Sequence, residues 1–413
     1  MKGLFLFLST VLALTAYTQP NDIHISWNGS KKVNTANTMA ITWMNDKAED
    51  MLLYGPDSAL LNNIGVLVKT FSVPLSSYVY KVTLKKLKPA TFYYYKVGSK
   101  ENGWSAEYRF RTGPKAGSEE KFTVGIWSDT QNNHSNIEFA HTDTIVQELV
   151  KNSFLFTLHN GDIVENGSVI KSWKNFFNIT QAVNASFPFM SVTGNHDVVN
   201  SDTSVSFQKP FPVYYDLFNL PSDQLNYSYD YGNTHFIAIN SGYAQGAEKK
   251  GRVLFEEDSE EYRWLETDLK AARKNRKIKW IILYCHYPLY SWGVSQIPTW
   301  QGHIKPLVDK YEVDLCLAGH RHVYERHKAI RNTTIFEQKD PHVYDHPKGT
   351  VYITNGSCGG SLQGPGGMQL PSMLFTPNEK IFTFAMMEVE GKSLRYTVYD
   401  NKGNVVDHCE IIK

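Results

Sequence analysis

Phe187-Pro188-Phe189-Met190-Ser191-Val192-Thr193-Gly194-Asn195-His196-Asp197 decides the fold. An apolar run of strand length stops at a glycine, and three donor side chains follow at once. The same arrangement recurs on both sides of it. Phe122–Trp127 leads into Ser128-Asp129-Thr130-Gln131, and Phe154–His159 into Asn160-Gly161-Asp162. Downstream, Ile278–Cys285 runs into His286, and Val313–Ala318 into Gly319-His320-Arg321-His322. Each fragment alone says little. A Gly-Asp pair is usually a turn, and a lone His after a strand is usually a satisfied core histidine. His320 and His322 say more, because spacing of two points both rings the same way on extended backbone. The joint occurrence carries the inference. In open α/β sheets, ligands bind beyond the carboxyl ends of the strands. Five strands thus deliver two carboxylates, an amide oxygen and several imidazoles to one edge. That donor set suits zinc, iron or manganese and needs no thiolate. The glycines let backbone close in around a compact site.

Helical periodicity lies between these strands. It is clearest over Ser259–Asn275, where Tyr262, Leu265, Leu269 and Ala272 share a face. Alternating strand and helix predicts an α/β domain with largely parallel strands. The chain before it reads differently. Short runs at Ile23–Trp27, Met39–Trp43, Met51–Tyr54, Val66–Val73, Tyr78–Leu84, Phe92–Val97 and Ala106–Arg111 are separated by turn residues, as in a β-sandwich. Gly113–Ser118 reads as a linker. From Thr350 onward β character returns, with a hairpin-like turn at Asp400–Gly403. Gly359–Gly367 reads as a loop without the Lys-Ser/Thr of a phosphate-cradling one.

The 413 residues suggest two or three domains at roughly 150 residues each. Hydrophobic residues are 42% and charged residues 20%, which excludes a disordered chain. A net charge of +1 leaves no basic footprint for duplex nucleic acid. Residues 1–18 read as a signal peptide: Lys2, the apolar Leu4–Leu14, then small residues. The expectation is a secreted or periplasmic protein with no membrane span. Cys285, Cys316, Cys358 and Cys409 read as buried free thiols. Asn-x-Ser/Thr sequons occur, among them Asn28, Asn178 and Asn332; the sequon at Asn166 lies too near the suspected site for a glycan.

The series Asp129, Gly161-Asp162, Gly194-Asn195-His196-Asp197, His286 and Gly319-His320-x-His322 resembles the calcineurin-like metallophosphoesterases. Gly319-His320-Arg321-His322-Val323-Tyr324-Glu325-Arg326 resembles the purple acid phosphatase branch. Leu87–Val97 looks like the tyrosine-corner strand of fibronectin type III domains. The resemblance implies a fibronectin-like sandwich at 21–113. It also implies a four-layer α/β/β/α catalytic domain with two mixed sheets at 119–413. It further implies two metal ions, of iron, zinc or manganese, bridged by Asp162. Asp129 and His322 would hold the first ion; Asn195, His286 and His320 would hold the second. Such a pair clamps a phosphate and generates a hydroxide nucleophile. The implied reaction is hydrolysis of small phosphate monoesters, with His196 protonating the leaving group as general acid or orienting the site through a hydrogen bond behind the ligands. Alternatives are a phosphodiesterase or nucleotide hydrolase on the same site, and a catalytically retired binding protein. Retirement normally shows as lost ligands, and every shared ligand survives. The oligomeric state cannot be read from the sequence.

Two departures stand out. Purple members carry an iron-binding Tyr three residues after the bridging Asp, where this chain has Glu165. The wider superfamily carries a His two residues after the first Asp, where this chain has Gln131. The protein is therefore expected not to be purple, with Glu165, Gln131 or water filling the place. After His286, phosphate-binding histidines are replaced by Tyr290, Trp292, Gln296 and Trp300, leaving His303, which reads either as a substrate contact or as the start of a helix to Tyr311. Trp127, Trp173 and Trp292 are candidates for the mouth of the site. His134, His141, His235, His327, His342, His346 and His408 carry no spacing signal, and His159 reads as part of its strand.

Overall fold

The computed structural model describes residues 20–413 apart from 29–32, 60, 66, 132–138, 198–211, 223, 250, 293–296 and 365–369. The expected leader at 1–18, His134 and Gln296 lie outside the described residues.

The N-terminal part is a two-sheet sandwich. Asn21–Ser26, Met39–Asn45, Ser77–Leu84 and Leu67–Ser72 pair in that order. Tyr108–Arg111, Phe92–Ser99, Met51–Gly55 and Asn63–Ile64 form the other sheet. Trp43 and Tyr80 stack in its core with centroids 5.0 Å apart. The Tyr93 hydroxyl accepts the Lys88 N–H at 3.0 Å, the back-bond expected of a tyrosine corner.

This sandwich is joined to the rest of the chain by more than a linker. Val33–Asn34 pairs in parallel with Tyr229–Asp230 at the edge of a catalytic sheet. Trp27, wholly buried, packs against Phe156 and Tyr229. The Tyr95 hydroxyl donates to the Ala185 carbonyl at 2.6 Å.

The catalytic domain holds two mixed sheets. One runs Phe189–Ser191, Phe156–His159, Phe122–Trp127, Thr383–Glu390, Ser393–Asp400, Val405–Ile412, Val343–Asp345. The other centres on Thr234–Ala238, Trp280–Cys285, Leu315–Ala318 and Val351–Asn355, parallel neighbours in that order. These inner strands are almost wholly buried, which is why they appear in the sequence as largely apolar runs. The five ligand-bearing strands are thus divided, three in one sheet and two in the other.

Glu260–Lys274 forms the helix expected from periodicity. Ser259 caps it, its Oγ accepting the Tyr262 N–H at 3.1 Å, and Leu265, Leu269 and Ala272 face inward. His303 needs a correction. Its helix begins at Pro298, a residue preorganised for a first turn, and runs to Lys310. Trp300, Ile304, Leu307 and Val308 set the buried face. His303 lies within the helix and has no hydrogen bond, ion pair or ring contact to the ligand residues. All four cysteines are free and buried. Among the described residues no helix is long and apolar enough to cross a membrane.

Candidate metal centre

Asp129, Asp162 and His320 sit just past their strands with φ of 56°, 53° and 65°. L-residues hold such backbone only where the surroundings impose it, most often at functional sites. Here the surroundings are mutual. The Asp129 N–H donates to the Gly161 carbonyl, and the Thr130 N–H to that of Asp162, each at 3.0 Å. The His320 N–H reaches both Asp129 carboxylate oxygens at 3.0 Å. The His196 N–H donates to Asp162 Oδ1 at 2.8 Å. Glycine makes the approach possible: a Cβ on Gly194 would stand 2.0 Å from Asp162 Oδ1.

Two groups of donors converge. Asp129, Asp162 and His322 form one, and Asp162, His286 and His320 the other, each with its ligand atoms within 4.8 Å of one another. Asp162 belongs to both. Asn195 Oδ1 joins the second group, 3.1 Å from His286 Nε2 and 3.0 Å from His320 Nδ1. His286 Nε2 and His320 Nδ1 are themselves 3.3 Å apart. His286 Nδ1 donates to the Asn160 carbonyl at 2.8 Å, which leaves the Nε2 lone pair facing the cluster. His322 is oriented the same way, with Nδ1 donating to the Ser361 carbonyl at 2.8 Å and Nε2 3.4 Å from Asp129 Oδ1.

Lone pairs aimed at one another in a buried space repel unless positive charge lies among them. The ionisation of the cluster says the same. Burial raises the Asp162 pKa, but the His286 and His196 charges bring it well below the usual carboxylate range. Burial lowers His286, yet Asp162 lifts it to about 9. Burial, reinforced by the His286 charge, keeps His320 well below its ordinary value. The donor set fits two cations sharing Asp162.

His196 lies beside this cluster. Its Nδ1 donates to the Glu165 carbonyl at 2.9 Å and lies 3.3 Å from Glu165 Oε1. Burial lowers its pKa, but the Glu165 hydrogen bond and the Asp162 charge raise it to about 10. Glu165 is therefore turned to His196, and it belongs to neither ligand group. Gln131 does reach the cluster: its Nε2 is 3.2 Å from Asp162 Oδ2 and 3.2 Å from His322 Nε2. Asp197 fixes the loop by accepting the Ile163, Val164 and Gly194 N–H groups at 2.9, 3.1 and 2.7 Å.

Of the aromatic candidates, Trp127 and Trp173 are core residues, both fully buried. Trp292 is only half-buried and carries the Arg321 guanidinium 5.5 Å above its ring. His159 ends its strand, buried, with Nε2 3.2 Å from Thr130 Oγ1. Sequence reasoning missed the segment from Gly356 to Ser361. The Gly359 and Gly360 N–H groups both donate to the Asp129 carbonyl at 2.9 Å, and Ser361 orients His322. Its signal was the glycines themselves, since a Cβ on Gly360 would stand 2.4 Å from His322 Cε1.

Comparison with known proteins agrees with this geometry. Residues 122–324 match the calcineurin-like phosphoesterase family, and residues 20–112 match the purple acid phosphatase N-terminal domain. Acid phosphatase type 7 of Homo sapiens is 30% identical over 363 residues, covering 82% of this chain and 78% of that protein. Probable purple acid phosphatase 20 of Arabidopsis thaliana is 26% identical over 383 residues, covering 89% of this chain and 79% of the relative. A purple acid phosphatase from yellow lupin (Lupinus luteus) seeds shares the fold. Its TM-score is 0.79 at 21% identity, over 96% of this chain and 74% of that one.

Proposed function

The chain belongs to the purple acid phosphatases, within the calcineurin-like phosphoesterases, and from that premise we propose that it hydrolyses small phosphate monoesters at a dinuclear centre outside the cytoplasm. The observation that carries the reading is the sharing of Asp162 by two buried donor groups. Asp129, Asp162 and His322 would hold one ion, and Asp162, Asn195, His286 and His320 the other. When bound, the two ions supply the positive charge that draws in the phosphate and activates a water. The ester P–O bond breaks, the water oxygen bonds to phosphorus, and the leaving oxygen needs a proton. His196 is the group to give it. With Nδ1–H engaged by the Glu165 carbonyl, a second proton on the ring resides on Nε2, the atom free to donate.

Export rests on the apolar leader at 1–18. The Tyr-to-Glu exchange at 165 removes the phenolate that colours iron(III) members, so we infer a colourless centre, and a divalent pair is its simplest form. The fibronectin-like sandwich, joined through Val33–Asn34 and Trp27, serves as a brace for the catalytic domain.

The test is hydrolysis of a nitrophenyl phosphate monoester and the matching diester, by wild type and Asp162→Ala, with zinc, manganese or iron supplied. Monoester turnover lost in the variant supports the proposal. Faster diester turnover would replace it with a phosphodiesterase. No turnover by wild type with any ion would point to a retired site. A visible charge-transfer band in freshly isolated protein would contradict the colourless centre.

A further inference from the structure

Gln131 is in the wrong chemical company for an ordinary glutamine. It is almost wholly buried. Its amide end stands 3.2 Å from Asp162 Oδ2 and 3.2 Å from His322 Nε2, two atoms of the first donor group. Its other end, Oε1, is buried with no hydrogen-bond partner. A glutamine placed for hydrogen bonding would satisfy both ends, and leaving a buried amide oxygen without a donor is costly. We infer that Gln131 is the fourth protein ligand of the first metal ion, bound through its side-chain oxygen, and that Glu165 is not a ligand. This rests on the dinuclear reading above and assigns the place which the sequence left open between Gln131, Glu165 and water.

Three observations converge on it. The first is spacing. Donors bound at about 2.0–2.2 Å around one ion stand about 3 Å from their neighbours when the angle between them is near 90°. Gln131 keeps that separation from two ligand atoms at once, and Asp129 Oδ1 and His322 Nε2 are 3.4 Å apart. The second is the tautomer of His322. With Nδ1–H committed to Ser361, Nε2 offers a lone pair. Asp162 Oδ2 offers another. A half-turn of the Gln131 amide exchanges its ends without changing its shape, and places a third oxygen donor beside those two. The third is the fate of Glu165. Its Oε1 lies 3.3 Å from His196 Nδ1, and its own carbonyl accepts from the same nitrogen. One carboxylate oxygen positions His196; the other, Oε2, is buried without a hydrogen-bond partner but belongs to neither donor group. An amide oxygen brings no charge, so the first pocket has two carboxylates, one imidazole and one neutral oxygen. That set suits a divalent ion better than iron(III).

The experiment reads metal content and a cobalt(II) absorption spectrum, with no assay of turnover. Wild type, Gln131→Leu, Gln131→Glu and Glu165→Ala are loaded with cobalt or zinc and dialysed against a graded chelator. Wild type should retain two ions per chain. Gln131→Leu should hold its weaker ion about 10–100-fold less tightly and lose part of the cobalt spectrum. Gln131→Glu should hold that ion more tightly than wild type. Glu165→Ala should keep both ions and the wild-type spectrum. Two ions held at wild-type affinity by Gln131→Leu, with an unchanged spectrum, would overturn the inference. So would loss of an ion in Glu165→Ala. Should Gln131→Leu not fold, Gln131→Glu decides alone: unchanged affinity and spectrum overturn the assignment. A wild type that binds no ion overturns the dinuclear reading itself, an outcome distinct from two ions held without Gln131.

Discussion

The two halves of the metal centre share Asp162 and are built by different rules. In the second half, His286 follows directly on its strand, and His320 and Asn195 lie on the loops just past theirs. Backbone holds two of them: the Asn160 carbonyl orients His286, and the His320 N–H is anchored on the Asp129 carboxylate. Nothing there departs from the family pattern. The first half starts the same way, with Asp129 and His322, but is completed from elsewhere. Gln131 reaches in from two residues beyond Asp129, and Ser361 orients His322 from a loop after a different strand. Strand ends supply the donors that both halves require. On the proposed assignment, the donor added to the first half would select the ion. On that division, a chain could keep the donors shared by both halves and still differ from its relatives in the ion that it holds.

The largest effect should come from the residue common to both halves. Asp162→Ala should empty both pockets and reduce turnover by far more than the ~10–100-fold typical of losing a group behind the ligands. Metal analysis beside the assay checks it: one ion retained would mean that Asp162 serves a single pocket. Next comes His196→Ala, which removes a ring outside both donor groups and keeps the backbone N–H on Asp162. Turnover of an alkyl phosphate should fall by about 10²–10⁴-fold with both ions retained. The fall should be smaller for a nitrophenyl ester, whose leaving group needs little protonation. Equal losses on both esters would argue that His196 orients the site and does not donate a proton. Glu165→Gln should cost less, roughly 10-fold or under, because the backbone carbonyl that holds His196 Nδ1 survives the change.

Much of this was legible in the sequence because the informative residues sit at the ends of buried parallel strands, where apolar runs stop abruptly. The helix at Glu260–Lys274 was legible through the spacing of Tyr262, Leu265, Leu269 and Ala272. The helix at Ile170–Asn184 was covered only by the general expectation of helices between the strands and was not located by residue, although Trp173, Phe176, Phe177, Thr180 and Val183 share its buried face. The return of Thr383–Glu390 antiparallel to Phe122–Trp127, and the pairing of Val33–Asn34 with Tyr229–Asp230, are long-range choices that leave no local pattern. The helix holding His303 was legible, but its start was placed at His303 and not at Pro298, because Ile297 offers no side-chain cap. His235, dismissed for lack of spacing, has a partner on each side that only the fold supplies.

His235 gives the smallest expected effect on turnover and the sharpest contrast with the metal pockets. It is also a histidine against carboxylates, with Nδ1 2.6 Å from Asp230 Oδ1 and Nε2 2.9 Å from Asp268 Oδ2. Its two nitrogens point at different carboxylates, so no single ion can gather all three donors, and the cation there is the proton. Burial alone would lower its pKa, but hydrogen bonds to Asp230 and Asp268 raise it to about 9. The unfolded value is about 6.5, so the native state binds the extra proton between about 6.5 and 9. This contribution to stability is complete below the lower value and is lost as pH rises through the upper one, with a ceiling of about 3 kcal/mol. Urea midpoints should therefore fall between pH 6 and 9 in wild type and stay flatter in His235→Gln, with turnover at pH 6 unchanged. Added zinc should leave that slope untouched in both proteins. A zinc-dependent slope that vanished in His235→Gln would erase the contrast, because it would make this histidine a ligand like those beside Asp162.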